Sequence, residues 1–171
     1  TVQGELGIQL SITSNIVMDL TAYFRDIRDL TGTRSKEIDL FGGSASYNKL
    51  VNSDFAYIRG VIMSISMRET NGLSGNLDYT FQIAKGSASD PQQARNAIAG
   101  GSLPEIQLIP LNWDQRHTVN LSAAYNRKNW GMSAIAQIGS GLPYTPLSTE
   151  DISSLVQNSG KKPITWNVDF K

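Results

Sequence analysis

Apolar and polar side chains trade places at every second residue in seven separate stretches of this chain. Leu6, Ile8, Leu10 and Ile12 alternate with Glu5, Gly7, Gln9 and Ser11. Ile16, Met18, Leu20, Ala22 and Phe24 share one face of the second stretch. Asp19, Thr21 and Arg25 share the other, with Val17 and Tyr23. Val61, Met63, Ile65 and Met67 alternate with Gly60, Ile62, Ser64, Ser66 and Arg68, where Ile62 breaks the polar face. The fourth stretch is the cleanest: Leu77, Tyr79, Phe81 and Ile83 against Asn76, Asp78, Thr80 and Gln82. Val119, Leu121, Ala123 and Tyr125 then alternate with Thr118, Asn120, Ser122 and Asn126. Trp130, Met132, Ala134, Ala136 and Ile138 oppose Gly131, Ser133, Gln137 and Gly139. Ile164, Trp166, Val168 and Phe170 alternate with Thr165, Asn167, Asp169 and Lys171. Period two is the signature of a strand with one apolar face.

The connections alternate as well. Thr13-Ser14-Asn15, Thr70-Asn71-Gly72 and Arg127-Lys128-Asn129 are short, and Asn71-Gly72 is a hairpin signal. Residues 31–54, 86–114 and 140–162 are long. Short and long in turn is the wiring of a transmembrane β-barrel, with tight periplasmic turns and extended extracellular loops. A soluble antiparallel sheet with one buried face would show the same alternation. Strand length near that of a tilted spanning strand favours the membrane. So do the sorted loops. Aromatic residues near strand ends, at Tyr23, Phe24, Phe55, Tyr57, Tyr125, Trp130, Trp166 and Phe170, fit an interfacial girdle.

Seven strands do not make a closed barrel of the usual even kind, and an open edge in lipid leaves backbone groups unsatisfied. The expectation is therefore about seven consecutive strands of a larger barrel. The alternative is an eighth strand hidden in a long loop, giving a small closed barrel.

Composition adds mainly exclusions. Fifteen basic and fifteen acidic residues balance, and the pI is near 6.5, so a nucleic-acid footprint is not expected. There is no cysteine and only one histidine, His117, which removes thiolate metal sites, disulfides and histidine clusters. No apolar run is long enough for a transmembrane helix. A mean hydropathy of -0.23 suits strands whose hydrophobicity is hidden in alternation.

Two long loops carry helix-start patterns. Asp90-Pro91 with Gln93 reads as a capping box, stopped by Gly100-Gly101. Ser148 with Asp151 is a second, with Ile152, Leu155 and Val156 on one face and Gly160 as the stop.

Candidate chemistry is sparse. His117 beside Arg116 has no partner motif and reads as an interfacial or loop-packing histidine. Gly139-Ser140-Gly141 is an incomplete nucleophile elbow without its helix. Gly42-Gly43 lacks a phosphate-loop lysine. Asp26, Asp29, Glu37 and Asp39 match no EF-hand spacing and read as a solvated loop face. Glu5, Gln9, Asp19, Asp78, Thr80, Gln82, Asn120 and Gln137 read as the wall of a hydrated interior. No catalytic, metal-binding or cofactor-binding residue is assigned, no cofactor is expected, and an enzyme is the least favoured class. The residues that would contact a substrate are not identified from sequence.

Several stretches together carry a family resemblance. They are Asp114-Gln115-Arg116-His117-Thr118-Val119-Asn120, Asn129-Trp130-Gly131 and Gly139-Ser140-Gly141-Leu142-Pro143-Tyr144-Thr145-Pro146. Tyr23-Phe24-Arg25-Asp26-Ile27-Arg28-Asp29-Leu30 and Arg59-Gly60-Val61 belong with them. In order and spacing the chain resembles the C-terminal barrel of TonB-dependent outer-membrane receptors, in the style of Bacteroidetes-like bacteria.

The resemblance implies a barrel of about 22 strands with an N-terminal plug. It implies energised uptake of a scarce substrate (an iron chelate, vitamin, glycan or peptide) through a bacterial outer membrane. The implied partners are outer-membrane lipid, the plug and the TonB complex, and other outer-membrane proteins. The chain departs from that pattern: residues 1–171 hold no plug, TonB box or signal peptide and roughly a third of the strands. They are expected to form one partial barrel domain of a longer protein. Ile62 also stands where the family often has a polar lumen residue. The competing function is a structural outer-membrane barrel that binds partner proteins through its loops without transport. A soluble all-β binding module is the third reading.

Overall fold

The computed structural model describes residues 1–33, 38–40, 45–47, 50–87, 108–146 and 158–171. In chain order the strands are β1 (Val2–Thr13), β2 (Ile16–Thr33), β3 (Ile38–Leu40), β4 (Ala45–Tyr47), β5 (Leu50–Thr70) and β6 (Leu73–Gly86). Then come β7 (Ile109–Pro110), β8 (His117–Arg127), β9 (Trp130–Gly139), β10 (Pro143–Tyr144), β11 (Gly160–Lys161) and β12 (Thr165–Phe170). No helix occurs among the described residues.

One antiparallel sheet dominates, with neighbours in the order β1-β2-β5-β6-β8-β9-β12. These seven long strands are the seven alternating stretches of the sequence, and each pairs with the next in the chain. β7 adds to β6 in line with β8. Between β1 and β12 no pairing exists, so the described sheet is open and the small closed eight-stranded barrel is not formed. Two small ladders, β3–β4 and β10–β11, stand apart from it.

The short connections are two-residue turns at Ser14-Asn15, Asn71-Gly72 and Lys128-Asn129. Asn71 and Gly72 both have positive φ, 54° and 89°, as a type I′ hairpin turn requires. The first long connection is shorter than the sequence suggests. β2 runs to Thr33 and β5 begins at Leu50, at 18 and 21 residues, nearly twice a spanning length. Charged and polar residues at 25–33 and 52–59 hide these extensions from a hydropathy pattern. The helix-start patterns at Asp90–Gly101 and Ser148–Val156 lie outside the described residues. Gly160, expected to stop the second, opens β11.

The register turns the local alternation into two continuous faces. On one, Ile8, Leu20, Met63, Tyr79, Val119, Ile138 and Trp166 stand side by side across all seven strands. The next row is Leu10, Met18, Ile65, Leu77, Leu121, Ala136 and Val168. This face is exposed even at large side chains: Trp130 is 54% accessible, Met132 57% and Trp166 73%. Such a contiguous apolar surface needs lipid or another partner to cover it, and within hydrocarbon the ladders keep the interior strands' backbone groups paired. The buried core is small: Ala56, Ile58, Ala84 and Leu111, with Tyr23 and Ile27 packed against it. It lies at the long-connection end of the opposite, polar face.

Candidate functional site

That polar face is the first part of the site. Gln9, Asp19, Ser64, Asp78, Asn120, Gln137 and Asn167 form one row across the seven strands, one residue out of phase with the apolar rows. Neighbours in the row satisfy one another. Gln9 Nε2 donates to Asp19 Oδ1 at 2.8 Å. Asp78 accepts from the Ser64 hydroxyl on one oxygen and from Asn76 Nδ2, at 2.5 Å, on the other. Ser66 Oγ donates to Asn76 Oδ1 at 2.7 Å. Such side-chain pairs, most of them across strands, fix side-chain directions and hold the polar face in one arrangement.

Glu5, Thr80 and Gln82 share this face, so all eight expected wall residues are brought together. Tyr23 is there too, its hydroxyl 3.3 Å from Gln82 Oε1, and so does not belong to a girdle on the apolar face. Ile62 interrupts the wall as the sequence suggests, between Thr21 and Thr80. Ile135 interrupts it as well, opposite Ser122 and Asp169. The run Ala134-Ile135-Ala136 concealed this, because three consecutive apolar residues carry no period-two signal.

The second part is the rim, where residues 111–116 leave the ladder between β7 and β8. At Gln82 the backbone N–H still finds a carbonyl, that of Arg116, at 3.1 Å. At Ala84 no carbonyl is in place, and the Asp114 side chain takes over: Ala84 N donates to Asp114 Oδ1 at 2.7 Å. Leu111 N returns a bond to Ala84 O at 3.0 Å. Asp114 is 2% accessible, and Arg116 Nε donates to its other oxygen at 2.8 Å. A buried carboxylate thus patches a gap in the backbone ladder and is itself charge-paired, which a buried charge requires.

The other motif residues tie this rim to the start of the next connection. Gln115 Nε2 donates to Ser140 O at 3.1 Å, and Thr118 Oγ1 to Gln115 Oε1 at 3.3 Å. His117 N donates to Ser140 Oγ at 3.0 Å, and Ser140 N to His117 O at 2.8 Å. Of the two glycines flanking Ser140, Gly141 is a spatial necessity, since a Cβ there would sit 1.5 Å from the Lys162 carbonyl oxygen; a Cβ on Gly139 would displace the amide end of the Gln115 side chain, 2.1 Å away. Gly139-Ser140-Gly141 is therefore a junction between connections, not a nucleophile elbow.

Asn158 closes the tie from the far end of the same connection. It is 5% accessible and has φ 56°. Its Nδ2 donates to Pro110 O at 2.7 Å and to Asn112 Oδ1 at 3.0 Å, and Thr145 Oγ1 accepts from its backbone N at 3.1 Å. No sequence signal marked it. Beneath the junction, Gln115, Thr118, Asn120, Gln137, Thr165 and Asn167, with Ile138, Gly139 and Trp166, line an open depression of about 280 Å³.

His117 itself stands on the apolar face, at its long-connection edge. Its Nδ1 is 2.9 Å from the Tyr79 hydroxyl and its ring stacks on that ring, the packing role expected of it. Trp130 and Tyr125 meet at 5.5 Å at the opposite, short-turn end. Asp26 is engaged by Arg28 at 3.1 Å. The hydrogen bond that Arg28 donates to that carboxylate, first, and the carboxylate's charge raise the Arg28 pKa above the ordinary guanidinium value. Gly42-Gly43 and Glu37 lie outside the described residues, and of Asp39 only the backbone is described. Among the described residues no cluster of three or more acidic or histidine side chains could hold a metal ion.

The arrangement matches a known architecture. The chain superposes on the crystal structure of the outer membrane transporter YddB from Escherichia coli with a TM-score of 0.70 at 11% sequence identity. The match covers 98% of this chain and 25% of that one; the chain thus spans about a quarter of the length of the solved structure. No family model matches the sequence, and no curated protein matches it. The likeness is one of fold: an all-β antiparallel sheet built as a segment of an outer-membrane barrel.

Proposed function

We propose that these residues form part of the wall of a TonB-dependent outer-membrane receptor that takes up a scarce substrate: an iron chelate, vitamin, glycan or peptide. The observation that carries this reading is the division of one seven-stranded sheet into an apolar outer face and a hydrogen-bonded polar inner face, on the backbone of an outer-membrane transporter. In this reading lipid covers the apolar rows. The polar row faces a hydrated lumen occupied by a plug, and the tied rim shapes the extracellular mouth. The chain's own contribution is positioning and recognition, not chemistry.

The test uses the full-length protein that carries these residues, expressed in its host. Uptake of its cognate substrate should vanish when TonB is deleted or when a protonophore collapses the proton-motive force. Uptake that persists in both cases overturns energised transport. An absence of any substrate uptake, with loop-dependent capture of partner proteins, would leave the scaffold barrel as the better account.

A further inference from the structure

On the outer face, the apolar run of each central strand ends in a charged or polar line at the long-connection end. On β2 it runs from Ile16 to Phe24 and meets Asp26. On β5 it runs from Met67 to Val61 and meets Arg59. On β6 it extends from Leu73 to Ile83 and meets Lys85. The register places Arg59 between Phe24 and Ile83, and Lys85 opposite Tyr57 one step further out. Two cations from adjacent strands therefore share one patch at the boundary where hydrocarbon gives way to headgroups.

Directly below Arg59 the outer face is hollow. Ala22 is small among its larger neighbours Leu6, Phe24, Val61 and Phe81, and a concavity of about 490 Å³ opens there toward the lipid side. Arg59 stands at its upper end and also lines the cavity above it, with Phe55 and Tyr57. The guanidinium carbon lies 5.4 Å from the centre of the Tyr57 ring. Asp26, the acidic residue nearest the apolar rows, is bonded to Arg28; Asp29 and Asp54 also line the upper cavity, with Arg25 and Arg28 among them. Among the described residues no carboxylate forms an ion pair with Arg59.

We propose that this patch binds an anionic lipid of the surrounding leaflet, with its phosphate on Arg59, Lys85 beside it, and one acyl chain in the hollow over Ala22. The proposal rests on the membrane-spanning reading above. A guanidinium offers a phosphate two parallel N–H bonds, which a zwitterionic headgroup with its own ammonium exploits less well. The acyl chain gains only packing, since lipid tails are as apolar as the protein face. Selectivity must therefore come from the headgroup, and occupancy from the shape of the hollow.

The test is native mass spectrometry of the full-length protein. It is extracted in detergent, delipidated, and re-equilibrated with mixed micelles containing phosphatidylglycerol or phosphatidylcholine in equal amounts. The wild type should retain phosphatidylglycerol in about fivefold preference, the worth of one solvent-exposed ion pair. Arg59→Ala should reduce that preference to near one. Ala22→Leu should lower retention of both lipids while keeping their ratio. Arg127→Ala, at the opposite end of the sheet, should change neither. Millimolar inorganic phosphate should not displace the lipid; displacement would mark a free-anion site and overturn the proposal. Unchanged preference in Arg59→Ala, or unchanged retention in Ala22→Leu, overturns it too. Every variant is checked for heat-dependent gel mobility. A wild type without that shift would overturn the barrel reading itself, whereas lost lipid effects in protein that keeps the shift would overturn only the lipid site.

Discussion

Replacing Asp114 should reveal how much a single side chain contributes to the rim. Asp114→Ala removes the acceptor of the Ala84 N–H at 2.7 Å and the partner of Arg116 at 2.8 Å, both at a site 2% accessible. A buried amide left without a partner costs about 1–3 kcal/mol. The stranded Arg116 adds less than a fully buried charge would, because its side chain is 26% accessible and water can reach it. The sum is about 3 kcal/mol, confined to the junction of β6 with residues 111–116. Asp114→Asn keeps an oxygen for Ala84 and loses only charge, so about 1 kcal/mol is expected. The assay is amide hydrogen exchange of the folded barrel in detergent, read at residues 82–86. If exchange there proceeds by local opening, Asp114→Ala should accelerate it on the order of a hundredfold, and Asp114→Asn no more than about tenfold. Equal acceleration in the two variants would show that the charge pair, not the ladder bond, holds the rim. No acceleration in Asp114→Ala would refute the patch altogether.

Other substitutions probe the faces and the ties. Leu121→Arg, on the outer face, should destabilise the barrel by about 2–4 kcal/mol in refolding into lipid vesicles, while Asn120→Arg next to it, on the inner face, should cost less than about 1 kcal/mol; equal costs would refute the assignment of faces. Gly141→Ala forces a Cβ to within 1.5 Å of the Lys162 carbonyl, so β10 and β11 should separate and limited proteolysis should nick residues 140–164 faster, with the rest of the sheet intact. Asn158→Ala deletes two side-chain bonds at about 1 kcal/mol each, and exchange should quicken in 108–112 and 158–162 together; a change on one side only would mean the two connections are not coupled. Gly72→Ala places a Cβ 2.2 Å from Asn126 O at φ 89° and should slow refolding through its hairpin, which stopped-flow or gel-shift kinetics would detect.

Strand identity and facing were legible in the sequence because a strand has a period of two and every strand of this sheet keeps one apolar side. That rule acts residue by residue, so Leu77, Tyr79, Phe81 and Ile83 declare their face without reference to any partner. Asn71-Gly72 likewise fixes its hairpin locally, through the positive φ of both residues. The reach of β2 and β5 beyond the apolar band was hidden, because charged residues interrupt the period-two pattern there and the extension depends on each strand finding the other. Ile135 was hidden by its apolar neighbours.

The rim was legible only as a string of motif residues. Their meaning lies in pairings across the chain, Asp114 with Ala84 and Gln115 with Ser140, and in the unmarked Asn158 with Pro110, each separated by 25 residues or more. The sequence by itself determined seven two-faced strands and the turns between half of them, through forces that act over two to four residues. Only the tertiary structure decided which connections are tied together over the polar wall, because a buried carboxylate or amide acquires its role from the unpaired backbone group it happens to meet.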